Sequence, residues 1–188
     1  MKKFLQRITD NKTWDDLSVS KATLDRLQKI RTQFQSGRGA RALFTGPSGT
    51  GKTLAAQVLA SELNLDLYHV DLSSVVSKYI GETEKNLSAL FEHSQRMDVV
   101  LLFDEADALF GKRTDVEDSH DRYANLETDY LLHKIENYPG LIILTSNLRT
   151  AFDDAFIQRM TWDVDFISAK PEPQLPWWRR VLIWFGLK

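Results

Sequence analysis

Apolar residues recur along this chain in two rhythms that take turns. Five short runs have the length of buried strands: Arg41 to Thr45, Leu67 to Asp71, Val99 to Phe103, Leu141 to Thr145 and Trp162 to Phe166. Between them the spacing becomes helical. Leu54, Val58, Leu59 and Leu63 follow the first run, Leu87, Leu90 and Phe91 precede the third, and Tyr123, Leu126, Tyr130 and Ile135 precede the fourth. A leading helix over roughly Ser20 to Ser36 carries Leu24, Leu27, Ile30 and Phe34 on one side and ends at Gly37, where a left-handed cap costs little. Strand and helix in alternation predict an α/β fold, a five-stranded parallel sheet with helices on both faces. Ligands of such sheets bind outside the carboxyl ends of the strands, so the residues just after each run carry the functional interest. The pattern breaks only at Ala169 to Pro176, where three prolines precede an aromatic tail.

Composition adds limits. The 188 residues, 43% hydrophobic, suit one globular domain. A net charge of −2 with both signs scattered leaves no basic face for a phosphate backbone, so nucleic acid is not an expected partner. No cysteine is present, which removes disulfides, thiolate nucleophiles and cysteine zinc sites and fits a cytoplasmic address. Met1 to Asp10 lacks the apolar core of a signal peptide, and no uncharged run reaches membrane-spanning length. His69, His93, His120 and His133 show no metal-site spacing.

Directly after the first run comes Gly46-Pro47-Ser48-Gly49-Thr50-Gly51-Lys52-Thr53, a full match to G-x-x-x-x-G-K-[ST] that leads into a helix at Leu54. Glycines let the backbone curl so that its N–H groups face phosphate oxygens, and the helix N-terminus adds a favourable dipole. Lys52 is expected to reach the β- and γ-phosphates of ATP, and the Thr53 hydroxyl to ligate Mg2+ beside them.

The third run leads straight into Asp104-Glu105, which places two carboxylates at the same sheet edge. Asp104 fits the holder of the magnesium shell, and Glu105 the base that orients an attacking water. The fourth run ends Leu144-Thr145-Ser146-Asn147, so a neutral amide reaches that edge and can hold a water near the γ-phosphate.

With these motifs in this order, the chain resembles the AAA+ ATPases over roughly Trp14 to Phe166. The segment Ser77-Lys78-Tyr79-Ile80-Gly81-Glu82-Thr83-Glu84 is similar to the family's pore loop. That resemblance implies a ring, perhaps a hexamer, in which Tyr79, Ile80 and Gly81 contact a threaded protein substrate. The stretch Gly111 to Asn125 looks like the second pore loop and following helix of a bacterial subgroup found with contractile injection systems. The family also places an arginine finger after the fourth strand, where this chain has Arg159. Gln158 departs from relatives that carry a second arginine there, so Arg149 and Arg122 are alternatives.

The resemblance divides the chain into a core over 1–168 and a tail over 169–188. Only the opening of the family's helical lid is matched, at Pro176 to Phe185, so the lid is expected to be largely absent. The resemblance implies an ATPase that remodels or threads a protein; the alternative is a nucleotide-binding assembly module with little turnover. A small-molecule kinase fits poorly, because Lys78-Tyr79-Ile80-Gly81 stands where an acceptor-binding arginine cluster would be needed.

Overall fold

The computed structural model describes residues 5–71, 82–110 and 119–167. Among the described residues six strands form one sheet: β1 (Leu5–Ile8), β2 (Ala40–Thr45), β3 (Leu67–Val70), β4 (Val100–Phe103), β5 (Leu141–Ser146) and β6 (Trp162–Asp165). The helices are α1 (Lys21–Gln35), α2 (Lys52–Leu63), α3 (Glu82–Met97), α4 (Asp107–Phe110), α5 (Ser119–Glu136) and α6 (Asp154–Arg159). In space the strands run β1-β3-β4-β5-β2-β6. The five expected strands are all present and all parallel.

The sixth, β1, is an addition to the expected sheet. It pairs antiparallel with β3, Leu5 opposite Val70 and Ile8 opposite Leu67. Its sequence, Leu-Gln-Arg-Ile, has apolar residues only at its ends, and both are half-buried. An edge strand with one neighbour needs no continuous apolar run, so hydrophobic patterning does not reveal it.

Side chains leave the strands alternately to the two faces, and each face has its own core. Leu43, Leu101, Phe103, Ile142 and Leu144 pack with Leu87, Leu90 and Phe91 of α3 and Ile135 of α5. Ala42, Phe44, Val100, Leu102 and Ile143 pack with Leu27 and Ile30 of α1 and Ala55, Ala56 and Leu59 of α2.

Helix α1 starts where Ser20 Oγ accepts a hydrogen bond from the Thr23 amide at 3.1 Å, and it gives way to Gly37 at φ +78°. Its buried stripe is Thr23, Leu27 and Ile30, with the expected Leu24 and Phe34 only partly covered. Thr23 belongs there because its hydroxyl donates to the Asp165 carbonyl at 3.1 Å, tying α1 to the end of β6. In α2 the fully covered positions include Ala55, Ala56 and Ala60, whereas the expected Leu54 and Leu63 are half-buried. Small side chains on several sides let this helix lie close against the sheet, and that holds its first turn at the strand ends.

Candidate functional site

Strand register explains why the motif residues meet. Thr45 of β2 lies opposite Ser146 of β5 and Asp165 of β6, while Phe103 of β4 lies opposite Leu144. Parallel strands in this register bring Gly46, Asp104 and Asn147 out at one carboxyl edge. Between them is a cavity of about 280 Å³ lined by Ser48, Gly49, Gly51, Lys52, Thr53, Leu54, Asp104, Glu105 and Asn147.

The loop from Gly46 to Gly51 depends on left-handed backbone, with φ +146° at Gly46, +78° at Gly49 and +95° at Gly51. Gly46 is also where two backbones come closest: a Cβ there would strike the Phe166 carbonyl oxygen. The Thr50 hydroxyl donates to the Pro47 carbonyl at 2.8 Å and closes the loop on itself. Among the described residues, the N–H groups of Ser48, Gly49, Thr50 and Gly51 meet no acceptor. The first-turn amides of α2 have no partner within their helix either. One curl of chain thus presents a cluster of uncommitted donors at a helix N-terminus, the donor set that a polyphosphate needs.

Lys52 is 7% exposed. Its ammonium donates to the carbonyls of Gly46 at 2.6 Å and Pro47 at 2.9 Å and to Asn147 Oδ1 at 3.1 Å. Burial pulls its pKa below the usual lysine range, and the carboxylates of Asp104 and Asp107 oppose that shift. Across the cavity, the Thr145 hydroxyl donates to Asp104 Oδ1 and accepts from the Glu105 amide at 3.3 Å. Glu105 has φ +53°, a left-handed conformation that is costly for a residue with a Cβ. Thr53 and Asp104 line one cavity, and a hydroxyl and a carboxylate are hard oxygen donors of the kind that hold magnesium, so the residues present fit that ion. Among the described residues, no separate group of three or more acidic, histidine or cysteine side chains could hold a metal.

Two arginines named from sequence lie elsewhere. Arg149 follows β5 and reaches past the end of β2 to β6, 2.6 Å from Asp163 and 3.1 Å from Asp165. Asp165 also accepts from the Thr45 hydroxyl at 2.7 Å. Burial raises the pKa of Asp163, Arg149 lowers it and Asp165 raises it again. Arg159 closes α6, with its carbonyl 3.0 Å from Arg41 Nε and its guanidinium 3.4 Å from Glu136. Arg41 lies near the start of β2, so Arg159 is at the amino edge of the sheet, about 15 Å of strand from the loop. The side chain of Arg122, and residues Tyr79, Ile80, Gly81 and 168–188, lie outside the described residues. Sequence reasoning missed Thr145 and the Arg149–Asp163–Asp165 group. A threonine inside an apolar strand and two acids in the last strand carry no local signal of their partners.

Residues 42–167 match the family model described as ATPase family associated with various cellular activities, AAA. The AAA family ATPase y4kL of Sinorhizobium fredii is 34% identical over 166 residues, 83% of this chain and 50% of that protein. Spastin of Xenopus laevis is 33% identical over 144 residues, 72% of this chain and 24% of spastin. The chain therefore spans about half the length of the first relative and about a quarter of the second. Among solved structures, the FIGL-1 AAA domain aligns with a TM-score of 0.65 at 23% identity, covering 88% of this chain and 58% of that one. A chain of the E. coli MS115-1 HORMA:CdnC:Trip13 complex aligns at 0.67 and 21%, covering 86% and 68%. At such identities the likeness concerns the fold.

Proposed function

Because the chain belongs to the AAA family of ATPases, we propose that it binds ATP with magnesium at the Gly46–Thr53 loop and hydrolyses it between subunits of an oligomer. The observation that carries this reading is the convergence of Lys52, Thr53, Asp104, Glu105 and Asn147 on one cavity beside a loop of uncommitted amides.

In this reading the amides of Ser48, Gly49, Thr50, Gly51 and the first residues of α2 hold the triphosphate, with Gly46 and Pro47 shaping the turn and Leu54 at the rim. Lys52 gives up its carbonyl contacts to meet the β- and γ-phosphates. Thr53 and Asp104 hold magnesium, which when bound neutralises charge on the phosphate oxygens. Glu105 takes a proton from the attacking water, and Asn147 fixes that water without adding charge. Arg159, remote from its own loop, is assigned to the site of a neighbouring subunit, where a guanidinium stabilises charge on the transferred phosphoryl group.

A polypeptide is the proposed substrate, with Tyr79, Ile80 and Gly81 as its contacts. Among the described residues, no helix is long and apolar enough to cross a membrane, and a cytoplasmic ring is the proposed setting. One observation favours a second reading, an ATP-binding assembly module with little turnover: among the described residues Lys52 is the only cationic side chain lining the cavity. Steady-state and single-turnover phosphate release across a range of protein concentrations separates the two. Turnover per chain that rises with concentration supports the oligomeric ATPase, and stoichiometric ATP binding without release at any concentration supports the module.

A further inference from the structure

We propose that Thr145 is a positioning residue for the acidic pair, fixing the Asp104 carboxylate and the backbone turn that carries Glu105. The inference rests on the reading of the cavity as a magnesium–nucleotide site.

Three consecutive residues depend on this one side chain and its carbonyl. The Thr145 hydroxyl donates its single proton to Asp104 Oδ1 and accepts from the Glu105 amide at 3.3 Å, and the Thr145 carbonyl accepts from the Ala106 amide at 2.8 Å. Register brings them together, since Phe103 pairs with Leu144 and the next residue on each strand follows in step. Thr145 itself is 1% exposed, and its bonds to Asp104 and Glu105 are partly shielded from solvent, which strengthens them.

The consequences differ for the two acids. With Oδ1 committed to Thr145, the Asp104 carboxylate is held in one rotamer and offers its other oxygen towards the cavity. A second partner that orients a metal-binding carboxylate tunes affinity for the ion even though it does not touch it. Glu105 sits at φ +53°, and the two neighbouring amides bound by Thr145 hold the turn in that conformation. Valine would keep the branched shape that suits a buried strand but would remove both the donor and the acceptor. Serine would keep both.

The test uses the full chain with Thr145→Val, Thr145→Ser and, in case the second methyl of valine crowds the strand, Thr145→Ala. A fluorescent ADP is titrated with and without Mg2+, and turnover is followed against Mg2+ concentration. We expect Thr145→Val and Thr145→Ala to leave metal-free binding unchanged and to raise the Mg2+ needed for half-maximal effect by roughly tenfold to a hundredfold, with Thr145→Ser close to the parent. Parent-like Mg2+ titrations in Thr145→Val and Thr145→Ala would overturn the assignment. So would equal losses in all three variants, or losses of metal-free binding that follow a lowered Tm. A parent that binds Mg2+-nucleotide without turning it over refutes hydrolysis, while the binding titrations still decide the role of Thr145. A parent that binds no nucleotide refutes both.

Discussion

The Lys52 ammonium lies 3.1 Å from Asn147 Oδ1, which joins the phosphate loop side chain to side chain with the end of β5. Replacing Lys52 by alanine removes the charge proposed to meet the phosphates and takes away the ammonium that Asn147 Oδ1 accepts from. Lys52→Ala is expected to bind nucleotide about tenfold to a hundredfold more weakly and to lose turnover. A fluorescent-nucleotide titration with parent-like affinity would sink the assignment of the loop.

The same lysine sets a pH dependence. Burial depresses its pKa in the folded chain below 10.5, so the folded site loses its proton before an unfolded chain does. Phosphate is attracted to the ammonium, and nucleotide affinity should therefore fall as pH rises through that depressed value. Stability runs the other way: between the folded and unfolded pKa values the unfolded chain binds more protons, so the penalty of the buried charge is relieved as pH rises towards 10.5. Titrations between neutral pH and about 10 check the first effect, and Lys52→Arg should flatten the curve. Affinity in the parent that stays level across the range would contradict it.

Glu105→Gln keeps the size of the side chain and removes the proposed base. ATP should remain bound while hydrolysis slows by at least about a hundredfold. Rapid-quench measurement of the chemical step decides this, and a rate near that of the parent would move the base to another residue.

Two glycines of the loop separate contact from backbone strain. Alanine at Gly46 meets the Phe166 carbonyl, whereas alanine at Gly49 meets nothing within 4 Å and bears only the cost of φ +78°. Gly46→Ala is expected to lose about 2 kcal/mol or more of stability and Gly49→Ala about 1 kcal/mol. Denaturant unfolding gives both values. A reversed order would show that Gly46 is not held against β6.

Arg159 is at the amino edge of the sheet and Glu105 at the carboxyl edge, so one chain is not expected to supply both to one phosphate. Arg159→Ala and Glu105→Gln should each be inactive alone and partly active when mixed. With random assembly about a quarter of interfaces hold both intact residues, which caps the recovery. Mixed oligomers confirmed by light scattering yet showing no recovery would remove Arg159 from the site, with Arg149→Ala and Arg122→Ala then tested in its place.

What could be read in the sequence follows from how local each signal is. The loop from Gly46 to Thr53 is legible because its conformation depends on its own glycines, and Asp104-Glu105 because it ends an apolar run. The pairing of Arg149 with Asp163 and Asp165 requires knowing that β2 lies between β5 and β6, which no local pattern states. Thr145 is hidden for a related reason: its partners are 41 and 40 residues away and adjacent only through strand register. Strand β1 is hidden because an edge strand of four residues can fold with two half-covered apolar side chains.

The close approach of Gly46 to Phe166 has a mechanical consequence. The Phe166 amide also donates to the Thr45 carbonyl at 2.6 Å, so the base of the loop and the end of β6 share a joint with almost no slack. Gly46 cannot shift towards Phe166 without displacing it, and the next residue, Ile167, is 71% exposed. Ile167 therefore leaves the sheet at the same carboxyl edge as the loop, one residue past the contact that ties Phe166 to Gly46.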